Sequence, residues 1–175
     1  MSLTAMILST AILAAPRQDA SMYAPPAEMK QVEFMVGNWK SEGSGMGMDG
    51  QESKIKGSAV AKMAVGGRYL EWVTDDEMDG FGKMQGEFKL TYNTMISKWE
   101  GVWFDSMSPY SMRAYGTLKD GVLDMMSEEV DMPEMGKTKF NIVYKKISDK
   151  KVDLVVSLVM GEQKIPAVTH HYTKN

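Results

Sequence analysis

The chain has 175 residues, 43% of them hydrophobic, which fits a single globular domain with a substantial core. Its 20 basic and 23 acidic residues are interspersed and give a formal net charge of -3, so no basic stripe is present and nucleic acid is not an expected partner. The sequence contains no cysteine, which excludes disulfides, thiolate catalysis and cysteine-ligated zinc or iron–sulfur sites.

The first predicted element is an apolar run from Leu3 to Ala15, followed by Pro16 and polar residues. This pattern resembles the hydrophobic core and small-residue cleavage region of a secretory signal. Residues 1–26 are therefore predicted to be a leader or an N-terminal arm. If residues 1–20 are a signal, the protein is predicted to be periplasmic or secreted, and otherwise cytoplasmic. The run is too short to predict a stable membrane span in the mature protein.

A single β-barrel domain is predicted for residues 27–175, and it begins with one short helix. The helix is expected between Pro26 and Gly37, because apolar residues such as Met29, Val32 and Met35 recur among charged ones.

Strand patterns dominate the rest of the chain. The clearest is 84–92, where apolar residues and glycine alternate with polar residues, as in a sheet with one dry and one wet face. Other strands are predicted to begin near Asn38 and to occupy 55–65, 68–74, 99–105, 110–118, 121–131, 138–147, 152–160 and 163–173. About ten antiparallel strands without helical crossovers predict an all-β barrel, since closure removes exposed sheet edges.

Several motifs resemble known families. Gly37-Asn38-Trp39 beside a helix is similar to the opening of the lipocalin and calycin superfamily. Four longer segments resemble the bacterial DUF1579 family, whose function is unknown: Trp39-x-x-Glu42-Gly43, Val65-Gly66-Gly67-Arg68-Tyr69-Leu70, Phe88-x-x-Thr91-Tyr92-Asn93, and Trp99-x-Gly101-x-Trp103-x-Asp105-Ser106-Met107-Ser108. The resemblance covers roughly residues 30–174 and implies a calycin/lipocalin-like barrel of about ten strands with a short N-terminal helix. It implies no substrate or catalytic residues.

Large side chains on the inward faces of the predicted strands define a candidate ligand cavity. Its predicted lining is Trp72, Phe88, Trp103, Asp105, Met112, Leu123 and Tyr144. A mainly apolar, aromatic cavity with few polar groups is typical of a small-molecule site. The leading prediction is non-enzymatic binding of a small apolar or amphipathic molecule, with no catalytic residue, metal or cofactor assigned.

One alternative is a haem or metal carrier that uses a C-terminal histidine. His170 and His171 are adjacent on a predicted strand, so their side chains are expected on opposite faces and cannot hold one internal metal together. One of them, if inward, could serve as an axial haem ligand. This idea draws on nitrobindins, whose glycine-rich opening resembles residues 37–47. The favoured interpretation is an exposed histidine with a solvated neighbour.

The other alternative is an enzyme with Asp105 as base in the cavity and Arg68 or Arg113 binding an anion. The favoured interpretation is that Asp105 and Ser106 form hydrogen bonds within the turn that leads through Pro109. The acidic run Asp75-Asp76-Glu77 could supply oxygen ligands to calcium, but it is interpreted as a solvated turn because charge runs between strands usually face water.

Overall fold

The computed structural model describes residues 24–47, 50–132 and 136–175, which form a closed antiparallel β-barrel. Its strands are β1 (Gly37–Met46), β2 (Glu52–Ala64), β3 (Tyr69–Met78), β4 (Gly82–Asn93), β5 (Lys98–Asp105), β6 (Met112–Lys119), β7 (Val122–Ser127), β8 (Val130–Met132), β9 (Gly136–Ser148), β10 (Lys151–Met160) and β11 (Gln163–Lys174). Strand β10 pairs with both β11 and β9, which closes a ring of ten strands, and β8 lies beside β9 outside that ring. The predicted all-β barrel of about ten strands is confirmed.

One 3₁₀ helix, Ala27–Met35, covers the end of the barrel where β1 begins. Its buried residues Met29, Val32 and Met35 are spaced by three, which matches the three residues per turn of a 3₁₀ helix. The helix contacts β2, β3 and β4. The indole N–H of Trp39 donates a 2.7 Å hydrogen bond to the carbonyl oxygen of Met35, so the first strand is tied to the helix that precedes it.

The helix end of the barrel is filled with side chains. Trp39, Leu70, Leu90 and Val152 have no exposed surface there, and the helix residues pack against the same core. Trp72 continues this core inward, with its ring 5.6 Å from that of Trp39. Burial of this much apolar surface is the main source of the barrel's stability.

Two strand boundaries differ from the prediction. Strand β3 was expected over 68–74 but continues to Met78, so the acidic residues after Thr74 belong to a strand and not to a turn. The strand expected over 121–131 is divided into β7 and β8.

Most of the predicted leader, residues 1–23, lies outside the described residues, so its role in export stays a prediction. Within the described ranges, no helix is long and apolar enough to cross a lipid bilayer.

Candidate functional site

The barrel contains a cavity of about 230 Å³ in the half opposite the helix. It extends to the loop 106–111 between β5 and β6. Its walls are mostly apolar and consist of Met84, Phe88, Trp103, Met112, Phe140, Ile142, Leu154, Val156 and Val168. Its polar lining residues are Asp76, Asp105, Ser108, Tyr110, Tyr144, His170 and Tyr172.

Glycines on neighbouring strands make room for two of the aromatic walls. A Cβ atom on Gly86 would collide with the Trp103 ring, and one on Gly101 would collide with the Phe88 ring. Each ring therefore packs against the backbone of a glycine, in space that the side chain of any other residue would fill. Phe88 also stacks on Tyr144, with 5.6 Å between ring centroids and 19° between ring planes.

Asp105 holds the loop at the cavity's outer edge in place. Its carboxylate accepts hydrogen bonds from the Trp103 indole N–H at 2.8 Å, the Met107 N–H at 2.8 Å, and the Ser108 N–H and hydroxyl at 2.6 and 2.9 Å. Four donors occupy the acceptor positions that a general base would need free. Asp105 lines the cavity, but its hydrogen bonds match the structural role within the turn that was favoured from the sequence.

Asp76 is a buried carboxyl group that also lines the cavity, with 2% of its surface exposed. It lies on β3, and its side chain reaches across Gly57 of β2 to accept a 2.8 Å hydrogen bond from the Ser41 hydroxyl on β1. A Cβ atom on Gly57 would collide with Oδ1 of Asp76, so this reach across a strand depends on glycine. The interpretation of Asp75-Asp76-Glu77 as a solvated turn is wrong for Asp76, because β3 continues and turns alternate residues inward.

His170 lines the cavity on β11, while His171 points outward. The His170 ring is 3% exposed and stacks on Tyr172 at 5.3 Å, and its Nδ1 atom is buried without a hydrogen-bond partner among the described residues. His171 instead lies 2.8 Å from the carboxylate of Asp153 on the outer surface. The two side chains therefore lie on opposite faces, as expected. The favoured interpretation of an exposed histidine holds for His171 and is wrong for His170.

Burial acts on the two inner titratable groups in opposite directions. Desolvation raises the pKa of Asp76. His170 and the hydroxyls of Ser41 and Thr74 act in the opposite direction, because they stabilise the carboxylate. Desolvation also lowers the pKa of His170, against the attraction of Asp76, so the ring is held neutral. Burial raises the pKa of Tyr144 and Tyr172 as well, which keeps both phenols protonated.

The predicted site residues divide into two groups. Phe88, Trp103, Asp105, Met112 and Tyr144 line the cavity together. Trp72 and Leu123 are buried inside the barrel but lie in the packed core and not on the cavity wall. The physical reason is that both side chains pack within the apolar core that contains the helix residues, so neighbouring side chains cover them.

The arginines of the enzyme alternative do not join Asp105. Arg113 is exposed on the outer face and lies 3.7 Å from Glu100, and Arg68 precedes β3 at the helix end of the barrel. Neither lines the cavity. Among the described residues, no group of three or more His, Asp or Glu side chains is arranged to hold a metal ion.

Two other hollows lie on the outer surface, where they are open to solvent. They measure about 240 and 600 Å³ and border strands β1, β2 and β11. Exposed charged residues such as Glu42, Lys54 and Lys56 line the larger one. The internal cavity is the stronger candidate site because it lies inside the barrel and has apolar walls with a few converging polar groups.

Comparison with known proteins places this barrel in a family. The family model described as "Protein of unknown function (DUF1579)" matches residues 24–174, most of the chain. The chain belongs to the DUF1579 family. The resemblance inferred from the motifs is thus confirmed. No curated protein matches the chain.

Solved structures show the same fold for this DUF1579 protein. The crystal structure of Rv2717c from M. tuberculosis has a TM-score of 0.62 and 11% identity, over 86% of this chain and 99% of that one. The S-type phycobiliprotein lyase CPES from Guillardia theta has a TM-score of 0.55 and 10% identity, over 90% of this chain and 98% of that one. At these identities the similarity shows the fold alone.

Proposed function

We propose that this DUF1579 protein is a non-enzymatic binding protein that holds a small apolar or amphipathic molecule inside the barrel. The observation that carries the proposal is the internal cavity, with its apolar walls and its few buried polar groups. Such a combination is the usual form of a small-molecule site, in which apolar walls supply affinity and polar groups orient the ligand.

The volume of the cavity limits the size of the ligand. An engineered apolar cavity of roughly 150 Å³ holds one benzene molecule. In proportion, the 230 Å³ cavity would enclose a molecule of about nine non-hydrogen atoms. The ligand is thus expected to be a single-ring or short branched compound unless wall residues move.

One structural neighbour is a protein named as a phycobiliprotein lyase. Its name supports the use of this type of barrel in a protein with a specific molecular partner. Because the two sequences share only 10% identity, the proposal for this chain depends on its own cavity.

Native mass spectrometry of the protein purified from its own host tests the proposal. We expect a retained small molecule in the wild-type protein. Val156 lines the cavity, so Val156→Phe should fill it and abolish retention. The control is Val155→Phe, since the neighbouring residue on β10 faces the other side of the sheet and retention should persist. Retention that survives in Val156→Phe would place the molecule elsewhere and contradict the proposal.

Haem is the second candidate, and one observation favours it: His170 presents an imidazole to the cavity, and no described residue forms a hydrogen bond with its Nδ1 atom. The space does not fit, because a haem has several times as many atoms as 230 Å³ encloses. We therefore expect no Soret band when the protein is expressed with haem. A band that is lost in His170→Ala and kept in His171→Ala would establish haem binding instead.

A further inference from the structure

We propose that the cavity selects ligands with a protonated amine head group over isosteric alcohols and carboxylates, with Asp76 as the residue that recognises the charge. This inference rests on the proposed binding function and specifies the chemical class of its ligand.

The first support is the sign of the charge in the cavity. Among the described residues that line the cavity, none is lysine or arginine. The titratable ones are Asp76, Asp105 and His170, together with the tyrosines Tyr110, Tyr144 and Tyr172. A buried carboxylate ligand would meet like charge without a cation to pair with, which is costly in a low-dielectric interior. A fatty-acid type of ligand is therefore disfavoured.

The second support is the set of acceptors at the inner wall. Ser41 donates to Oδ1 of Asp76, and a carboxylate has further acceptor positions on both oxygens. The buried Nδ1 atom of His170 has no hydrogen-bond partner in the part of the chain that the structure describes, and it is an acceptor when the neutral ring carries its proton on Nε2. An ammonium group has three donors and no acceptor, so it complements this pair of acceptors.

The third support is electrostatic. Burial raises the pKa of Asp76, which means that desolvation makes its ionised form costly. A cationic head group beside the carboxylate would offset that cost and favour the ionised form. Asp105 lacks this capacity, because four hydrogen bonds already hold its carboxylate.

Three probes of nearly equal size test the inference: 2-phenylethylamine, 2-phenylethanol and phenylacetate. Each has about the nine non-hydrogen atoms that the cavity would hold. Binding is measured by isothermal titration calorimetry at neutral pH in phosphate buffer, since Tris is itself an amine. We expect the amine to bind about tenfold more tightly than the alcohol, because a charge-assisted hydrogen bond contributes about 1.4 kcal/mol more than a neutral one, which is a factor of ten in affinity. Phenylacetate should bind most weakly.

Asp76→Asn removes the charge while keeping the side-chain shape, and it should reduce the affinity for the amine to that for the alcohol. The matched control is Asp75→Asn on the outer face of β3, which should preserve the preference. Near-ultraviolet circular dichroism of both variants checks the fold. If Asp76→Asn does not fold, the ranking of the three probes on the wild-type protein still decides the matter.

Equal or tighter binding of phenylacetate, or an amine preference that persists in Asp76→Asn, would overturn the inference and leave the proposed binding function intact. Failure of all three probes to bind would also overturn it. In that case the molecule retained in native mass spectrometry decides separately whether the barrel binds a ligand at all.

Discussion

The two ends of this barrel use the same strands in different ways. At the helix end, Met29, Val32 and Met35 enter the space between the sheet walls, and Trp39 and Leu90 have no exposed surface. At the other end no helix of the described residues enters, and the inward side chains leave a cavity of about 230 Å³ between them. The comparison teaches that a barrel of ten strands is wider than its own inward side chains can fill everywhere. The helix supplies the missing volume at one end, and at the other end the described side chains leave the cavity.

The two ends of the barrel also differ in the polarity of their buried residues. The packed end is almost wholly apolar, whereas the cavity end buries Asp76 and His170. A buried titratable pair lowers stability unless something compensates, and such pairs occur more often at functional sites than in structural cores. This difference is why we propose that the ligand binds at the cavity end.

The largest expected effect comes from a matched pair of leucine truncations. Leu90 is fully buried at the packed end, and Leu90→Ala should reduce the free energy of unfolding by about 4 kcal/mol. Leu154 lines the cavity, so it has fewer atoms around it, and Leu154→Ala should cost about 2 kcal/mol. Urea denaturation followed by tryptophan fluorescence measures both. Equal costs would mean that the two ends are packed alike.

A smaller loss of stability is expected when Gly57, which leaves room for the Asp76 side chain, is replaced. Gly57→Ala should lower the free energy of unfolding by roughly 2 kcal/mol, because the added methyl group collides with the Asp76 carboxylate and the backbone of Asp75. Ser58→Ala on the exposed face of the same strand serves as control and should change stability by less than about 0.5 kcal/mol. Urea denaturation measures the change in the free energy of unfolding for both variants. A Gly57→Ala protein as stable as the control would show that Asp76 does not lie over Gly57.

The smallest effect concerns pH. Burial lowers the pKa of His170 from 6.5, so below pH 6.5 the unfolded chain binds a proton that the native ring does not. Stability is therefore lost as pH falls from 6.5 towards the lowered pKa, by at most about 1.4 kcal/mol per pH unit. His170→Gln should remove this slope, and His171→Gln on the outer face should keep it.

Asp76 contributes to the pH dependence of stability with the opposite sign, between pH 3.8 and its raised pKa. Its raised pKa means that the native carboxyl takes up a proton more readily than the unfolded one above pH 3.8, so stability rises as pH falls from the raised pKa to 3.8. Thermal melts of the wild type and both histidine variants in quarter-unit pH steps separate the two contributions. An unchanged slope near pH 6 in His170→Gln would indicate that another group carries it.

Prediction from the sequence succeeded where the alternation of inward and outward side chains continues over many residues. Strict alternation over 84–92 placed Phe88 on the inner face, and β4 has that orientation. It failed at Asp76, since a run of three acidic residues is usually solvated and the strand was ended at Thr74. Continuing the alternation of Leu70, Trp72 and Thr74 by one step would have placed Asp76 inside.

Local periodicity and composition were enough to predict about ten antiparallel strands after a short helix, because side-chain alternation is a property of each strand alone. Closure of the barrel was expected because an open sheet would leave exposed edges. They also determined that His170 and His171 face opposite ways. Only the tertiary structure decided which of the two is buried and that Asp76 bonds to Ser41 across Gly57. It alone also decided that the cavity lies away from the helix. Those features depend on contacts between strands far apart in the chain, and no local pattern contains them.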